Sequence, residues 1–265
     1  MHFANETLEE VGRCTVFAVD WVTSQADIAC AVISGDSTDH ALDVHAPAVT
    51  ALAREVRRLS QHCPVLMLQG TFSHEPPGTL NVFALLGGKY RVFVADRICQ
   101  VALLAGGSWV SSSGWRFEEI PAGTRVVFSC LPSVNKGAVA AAAGAERADA
   151  AVGEQVAALL RGFSVANAQA RSRGIPTVCI SHGTVNGCYT EHGVPMAGLD
   201  HEFATGSLFD AGASAFMLGH IHKHQQWHDG GRKVAYPGSI GRLHFGEHGE
   251  KGFLDWRIGA DAAEL

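Results

Sequence analysis

Residues 28–36 read Ile-Ala-Cys-Ala-Val-Ile-Ser-Gly-Asp, an apolar run stopped by a glycine and an aspartate. Such a run, bounded by turn residues, predicts a strand buried on both faces. Pro47 then opens a segment that places Val49, Leu52, Val56 and Leu59 on one helical face. Val65-Leu-Met-Leu68 is a second buried strand, ending at Gly70. Strand, helix, strand, with polar loops after the strands, predicts an open α/β sheet whose chemistry lies at the carboxyl ends of its strands.

Working upstream, Leu8, Val11, Val16, Val19 and Val22 recur at helical spacing to about Ser24, with Thr7 and Glu10 spaced as a capping box. Downstream, Tyr90–Ala95, Ile98–Leu104, Trp109–Ser111 and Arg125–Cys130 are short β-like runs, predicted to form a meander in a second sheet. An alanine-rich stretch from Ala138 leads into a helix ending near Arg173. Pro176–Ser181 and Ala213–Leu218 are strands that run into His182-Gly183 and Gly219-His-Ile-His222. Gln225–Trp227, Lys233–Tyr236 and Gly252–Ile258 read as closing strands. No repeat or linker divides the chain, so residues 1–265 are expected to form a single domain.

Nearly half of the 265 residues are apolar, enough for a sizeable core. The net charge of −6 supplies no global basic field for coating nucleic acid, though it leaves room for local neutralisation of phosphate by metal ions. Seven cysteines without a Cys-x-x-Cys spacing read as free thiols of a reducing, cytoplasmic compartment. No apolar stretch reaches the length of a membrane span, and the N-terminus lacks a signal-peptide layout.

Fourteen histidines are the compositional outlier. Four strand ends carry metal-competent side chains: Asp36, the Ser73-His74-Glu75 segment, His182, and the pair His220 and His222. A Gly-Asp or a His-Gly alone is an ordinary turn. Four such loops in this order point to metal-assisted phosphate ester hydrolysis. Two divalent ions clamp an in-line displacement, a carboxylate suits the position between them, and neutral imidazoles complete their shells.

This order of motifs resembles the calcineurin-like metallophosphoesterase superfamily: Asp-x-His, Gly-Asp-x-x-Asp, Gly-Asn-His-Asp/Glu, His-Gly and Gly-His-x-His. The closing stretch, Gly219-His-Ile-His-Lys223, Tyr236-Pro-Gly-Ser-Ile240, Phe245-Gly-Glu247 and Lys251-Gly-Phe253, is similar to DNA-repair exonuclease subunits of the SbcD type. The resemblance implies a four-layer α/β/β/α sandwich of two mixed sheets and a phosphodiesterase acting on DNA through a two-metal-activated water. Manganese is the implied metal, with iron, zinc and magnesium as alternatives. An SbcC-type ATPase is the implied partner, and a homodimer is compatible. Within it Asp36 is the bridging ligand, Asp39 the supporting carboxylate, His182 and His220 ligands of one ion, His222 of the other, and His74 the catalytic acid. Lys223, His224 and Arg242 are the candidate substrate contacts.

Two departures stand out. The Gly-Asn-His motif reads Gly70-Thr-Phe-Ser-His-Glu75, which puts Ser73 where an asparagine ligand belongs. Asp-x-His is reduced to His2, just ahead of the first helix, with its aspartate falling before Met1. The chain is therefore expected to be truncated within the motif, to lack the family's first strand, and to bind its first ion poorly. By the same comparison it is expected to lack, or to carry in reduced form, the C-terminal capping domain of SbcD-type proteins. Two other classes remain open: a phosphatase or phosphodiesterase of small molecules such as nucleotides, and a non-catalytic binding module.

Overall fold

A computed structural model describes residues 2–38, 43, 45–133, 148–196, 202–243, 246–247 and 249–265. In chain order, helix α1 (His2–Ser24) leads to β1 (Ala31–Ile33), α2 (Pro47–His62) and β2 (Val65–Leu68). A 3₁₀ turn at Thr79–Leu85 precedes β3 (Val92–Ala95), β4 (Cys99–Leu104), β5 (Trp109–Ser111) and β6 (Thr124–Leu131). Helix α3 (Ala148–Ser172) returns to β7 (Thr177–His182), followed by the short pair β8 (Thr184–Val185) and β9 (Glu202–Phe203). Helix α4 (Thr205–Asp210), β10 (Ala215–Gly219), β11 (Gln225–Asp229), β12 (Arg232–Tyr236) and a last pair, β13 (Arg257–Ile258) and β14 (Ala263–Glu264), complete the mixed α/β chain. Among the described residues no helix is long and apolar enough to cross a membrane.

A small parallel sheet has the order β1-β2-β3, and a large mixed sheet the order β11-β12-β10-β7-β6-β4-β5. Parallel strands β6, β7, β10 and β12 form the middle of the large sheet; antiparallel pairs close both of its edges. Alternation decides what each face meets. Leu66 and Leu68 of β2 share one core with Val101, Phe128, Val178 and Ile180 of the large sheet. The opposite face of β2, Val65 and Met67, packs with Val19 of α1 and Val56 and Leu59 of α2. On the far side of the large sheet, Val156, Leu160 and Phe163 of α3 pack on Cys179, Phe216 and Leu218. Arg58 of α2 bonds Asp20 of α1, and the His62 ring meets the Gln25 carbonyl at 2.7 Å, so the two helices are tied near their carboxyl ends.

Three expectations change here. β3 pairs with β2 in the parallel sheet instead of joining the meander, which is confined to β4, β5 and β6. Its apolar run gave no sign of direction or partner. Thr7 and Glu10 lie inside α1 rather than at its start, because helical structure begins at His2. Residues 252–256, part of the expected last strand, form none; only Arg257 and Ile258 pair, with β14. This stretch borders a cavity of about 770 Å³ that runs along β1, lined also by Val19 of α1 and by Val126, Phe128 and Val178 of the large sheet. Strand β1 is an edge of its sheet. All seven cysteines are free, five of them buried.

Candidate metal centre

Parallel pairing delivers the site. In register, Gly219 of β10 stands opposite His182 of β7, and Ile33 of β1 opposite Met67 of β2. The loops after these four strands therefore emerge side by side. Three glycines let them close up. A Cβ on Gly35 (φ 94°) would lie 2.5 Å from His182 Nδ1. One on Gly70 would lie 2.3 Å from the Asp36 amide nitrogen, and one on Gly219 would lie 2.0 Å from the Ser34 carbonyl oxygen. These separations are far inside van der Waals contact, so no larger residue fits without moving backbone.

Asp36, His182 and His220 each offer a ligand atom, and the three lie within 4.8 Å of one another. A carboxylate and two imidazoles are a donor set suited to a first-row divalent ion. His182 is buried; its Nδ1 lies 2.8 Å from the Ser34 carbonyl and its Nε2 3.0 Å from Asp36 Oδ2. The backbone contact fixes the ring and leaves Nε2 facing the carboxylate, the usual way an outer partner orients a ligating histidine. The His220 ring packs edge-on against His182, with centroids 5.2 Å apart. Asp36 (φ 51°) and His220 (φ 100°) both hold left-handed backbone. Apart from glycine, these are the two positive-φ residues among the described residues, and both belong to the three-residue group.

Electrostatics follow the contacts. Burial alone would raise the Asp36 carboxyl, but the His182 ring, the Thr71 amide and His74 hold it well below the usual carboxylate range. Burial works against charge on His182, yet Asp36 and the Ser34 carbonyl raise it above an ordinary imidazole. Burial dominates at His222 and lowers it. Glu75 is fully buried and accepts from Gly70 N–H and Ser37 N–H, both at 2.6 Å. It staples the Asp36 loop to the loop after β2. Burial raises its carboxyl, partly offset by these two bonds.

Of the residues singled out in the sequence, Asp36, His182 and His220 meet directly. His74 stands beside them, its Nδ1 3.2 Å from Asp36 Oδ2. His222 is not in the three-residue group; its carbonyl is bound by Lys251 Nζ at 2.9 Å, and Lys251 pairs with buried Glu247. Ser73 is exposed, and Thr71 meets the site instead: its N–H donates to Asp36 Oδ1 at 2.7 Å and its hydroxyl to Oδ2 at 3.1 Å. The hydroxyl also lies 3.3 Å from His182 Nε2. Thr71 directly follows Gly70, and that adjacency was the available signal for it. Asp39 and the His2 side chain fall outside the described residues. Arg242 spends its guanidinium on the carbonyls of Glu247 and Gly249. His224 Nδ1 lies 2.7 Å from the Tyr236 carbonyl. Lys223 Nζ lies 5.7 Å from the Tyr189 ring centroid. Tyr236, also unremarked as a site residue, donates to the Gly183 carbonyl and accepts from Val185 N–H, which anchors the turn after His182. No protein-family model matches the chain, and a search of curated proteins finds no match.

Proposed function

We propose that the chain is a metal-dependent phosphodiester hydrolase built on the metallophosphoesterase sandwich, acting on DNA in the manner of SbcD-type nucleases. The carrying observation is the convergence of Asp36, His182 and His220 from three separate strand ends within 4.8 Å. A carboxylate with two imidazoles suits iron or zinc as well as manganese, and manganese is the choice that the family resemblance implies. A bound divalent ion supplies charge neutralisation at the phosphoryl oxygens and activation of water. The chain's own residues do the rest. Asp36 is held ionised, and Thr71 and His182 orient it. His74, half-exposed beside Asp36, is placed to protonate a leaving oxygen. By the same resemblance His222 is assigned to the other ion, Asp39 is the supporting carboxylate, and His2 is the remaining ligand of Asp-x-His.

The packing order, with α1 and α2 outside the small sheet and α3 outside the large one, supports the four-layer α/β/β/α reading. The cavity along the edge of β1 is also lined by residues 252–258, of which only Arg257 and Ile258 are in a strand. An SbcC-type partner, a homodimer and a cytoplasmic setting belong to the same proposal. The net charge of −6 favours a second reading, a small-molecule phosphodiesterase.

The deciding assay is manganese-dependent turnover of linear DNA beside a small phosphodiester by the 265-residue chain. Cleavage of DNA supports the nuclease reading, and ester hydrolysis alone supports the second. Turnover of neither refutes both and leaves a binding module. Asp36→Asn and His74→Ala should each abolish activity; a fully active double variant overturns the site.

A further inference from the structure

Beside the ligand loops, residues 189–195 form a tight turn. Tyr189 bridges Pro195, and the Thr190 amide donates to the Val194 carbonyl at 2.8 Å. The Tyr189 backbone is clamped from both sides by one side chain of β11. Gln225 Oε1 accepts from Tyr189 N–H at 2.8 Å, and Gln225 Nε2 donates to the Tyr189 carbonyl at 2.9 Å. The same amide reaches the Lys223 carbonyl at 3.4 Å. One glutamine thus fixes the turn against the strand end that carries His222. The Tyr189 ring itself is 46% exposed, with the Lys223 ammonium over it. Lys223 directly follows His222. An anchored aromatic face and a cation therefore stand next to the loop that carries His220 and His222.

We infer that Tyr189 and Lys223 form a nucleotide subsite, in which the ring stacks on the base next to the scissile phosphate and the ammonium contacts a flanking phosphate. This rests on the phosphodiesterase reading above. An exposed aromatic whose backbone is already fixed loses little freedom on stacking, and stacking tolerates any base because every base has a π-face. Lysine is a mobile point charge on a flexible stem, so it can leave the ring for a phosphate. Base and phosphate alternate along a single strand, and the pair presents complements to both. A simple phosphate ester would engage only the lysine.

The test uses the 265-residue protein with labelled oligothymidine and an abasic strand of equal length. Binding is read by fluorescence anisotropy in chelator, and manganese-dependent hydrolysis is followed separately. Loss of one stacked base corresponds to roughly 5- to 150-fold in affinity. Tyr189→Leu should weaken oligothymidine binding within that range and leave the abasic strand unaffected, while Tyr189→Phe behaves as wild type. Lys223→Met should weaken both strands and reduce the salt dependence by about one phosphate contact. If Tyr189→Leu binds both strands as wild type does, the subsite is refuted. If the selective loss occurs without hydrolysis, the subsite stands and the hydrolase reading falls. If hydrolysis proceeds with an unchanged KM for oligothymidine in Tyr189→Leu, the hydrolase reading stands and the subsite falls.

Discussion

Glu75 is the most direct place to test whether the ligand loops are held as described. Its two oxygens each take one buried backbone donor, from Ser37 and Gly70, at 2.6 Å. Glu75→Leu strands both N–H groups. At about 1–3 kcal/mol per unsatisfied donor, the loss is about 2–6 kcal/mol, a large share of the stability of an ordinary domain. Glu75→Gln keeps the shape and one carbonyl oxygen, but sets an amide NH₂ against the other donor. It also relieves the burial that raises the wild-type carboxyl. The net loss should be smaller, about 1–2 kcal/mol. Because the folded-state value is raised, ionising Glu75 destabilises the fold. Wild-type stability from this group is greatest below its ordinary value of 4.5 and declines as pH rises through the raised one. The gap between wild type and Glu75→Gln should therefore narrow as pH rises above 4.5. Urea unfolding with chelator present measures this as a midpoint shift at constant slope. Midpoints of both variants equal to wild type would refute the staple; a gap that widens with pH would refute the account of its charge.

Three further outcomes follow from the geometry. In the metal-free protein, stability from the depressed Asp36 is present above its ordinary 3.8 and lost as pH falls through the lower folded value. Stability from the raised His182 is present below its ordinary 6.5 and lost as pH rises through the higher one; Asp36→Asn should flatten both limbs, and an unchanged profile contradicts the pairing. Lys251→Met should cost at most about 3–5 kcal/mol, because buried Glu247 loses its ion-pair partner while still accepting from Leu243 N–H at 3.0 Å. It should also weaken manganese binding at His222 by calorimetry, with Glu247→Gln restoring part of the stability; equal stability of the single variant and wild type counts against the anchor. Gly219→Ala drives a methyl into the Ser34 carbonyl and should cost about 1–3 kcal/mol or more. Manganese affinity should fall with it, and a variant neutral in both would show that the loops are not in contact.

Much of the local structure was legible because apolar runs and turn residues agreed. Pro47–His62, Val65–Leu68 and Pro176–His182 each carried a pattern and a stop or start signal, whereas the run from Ile28, expected as a strand buried on both faces, forms one only over Ala31–Ile33, half-buried at a sheet edge. The strand ends were legible for the same reason, which is why Asp36, His182 and His220 could be singled out together. What was not legible depends on contacts distant in the chain. The membership of β3 is set by its parallel neighbour β2, and no local period encodes a neighbour. The stretch from Gly252 to Trp256 has strand-like composition, but a strand needs a partner to hydrogen bond, and this one faces a cavity. Thr71 carries no spacing signal of its own, since the Gly-Asn-His pattern points to Ser73, two residues further on. Its amide meets Asp36 only because Gly70 lets the backbones approach.

The left-handed backbone at His220 sets the chain's stability against its chemistry. At φ 100° a side chain with a Cβ is strained, and glycine is not. His220→Gly should therefore unfold at a higher urea concentration, by on the order of 1 kcal/mol, while losing one of the three converging ligands. Selection for stability alone would erase the imidazole at this position. At this one position backbone ease and the third converging donor atom pull in opposite directions.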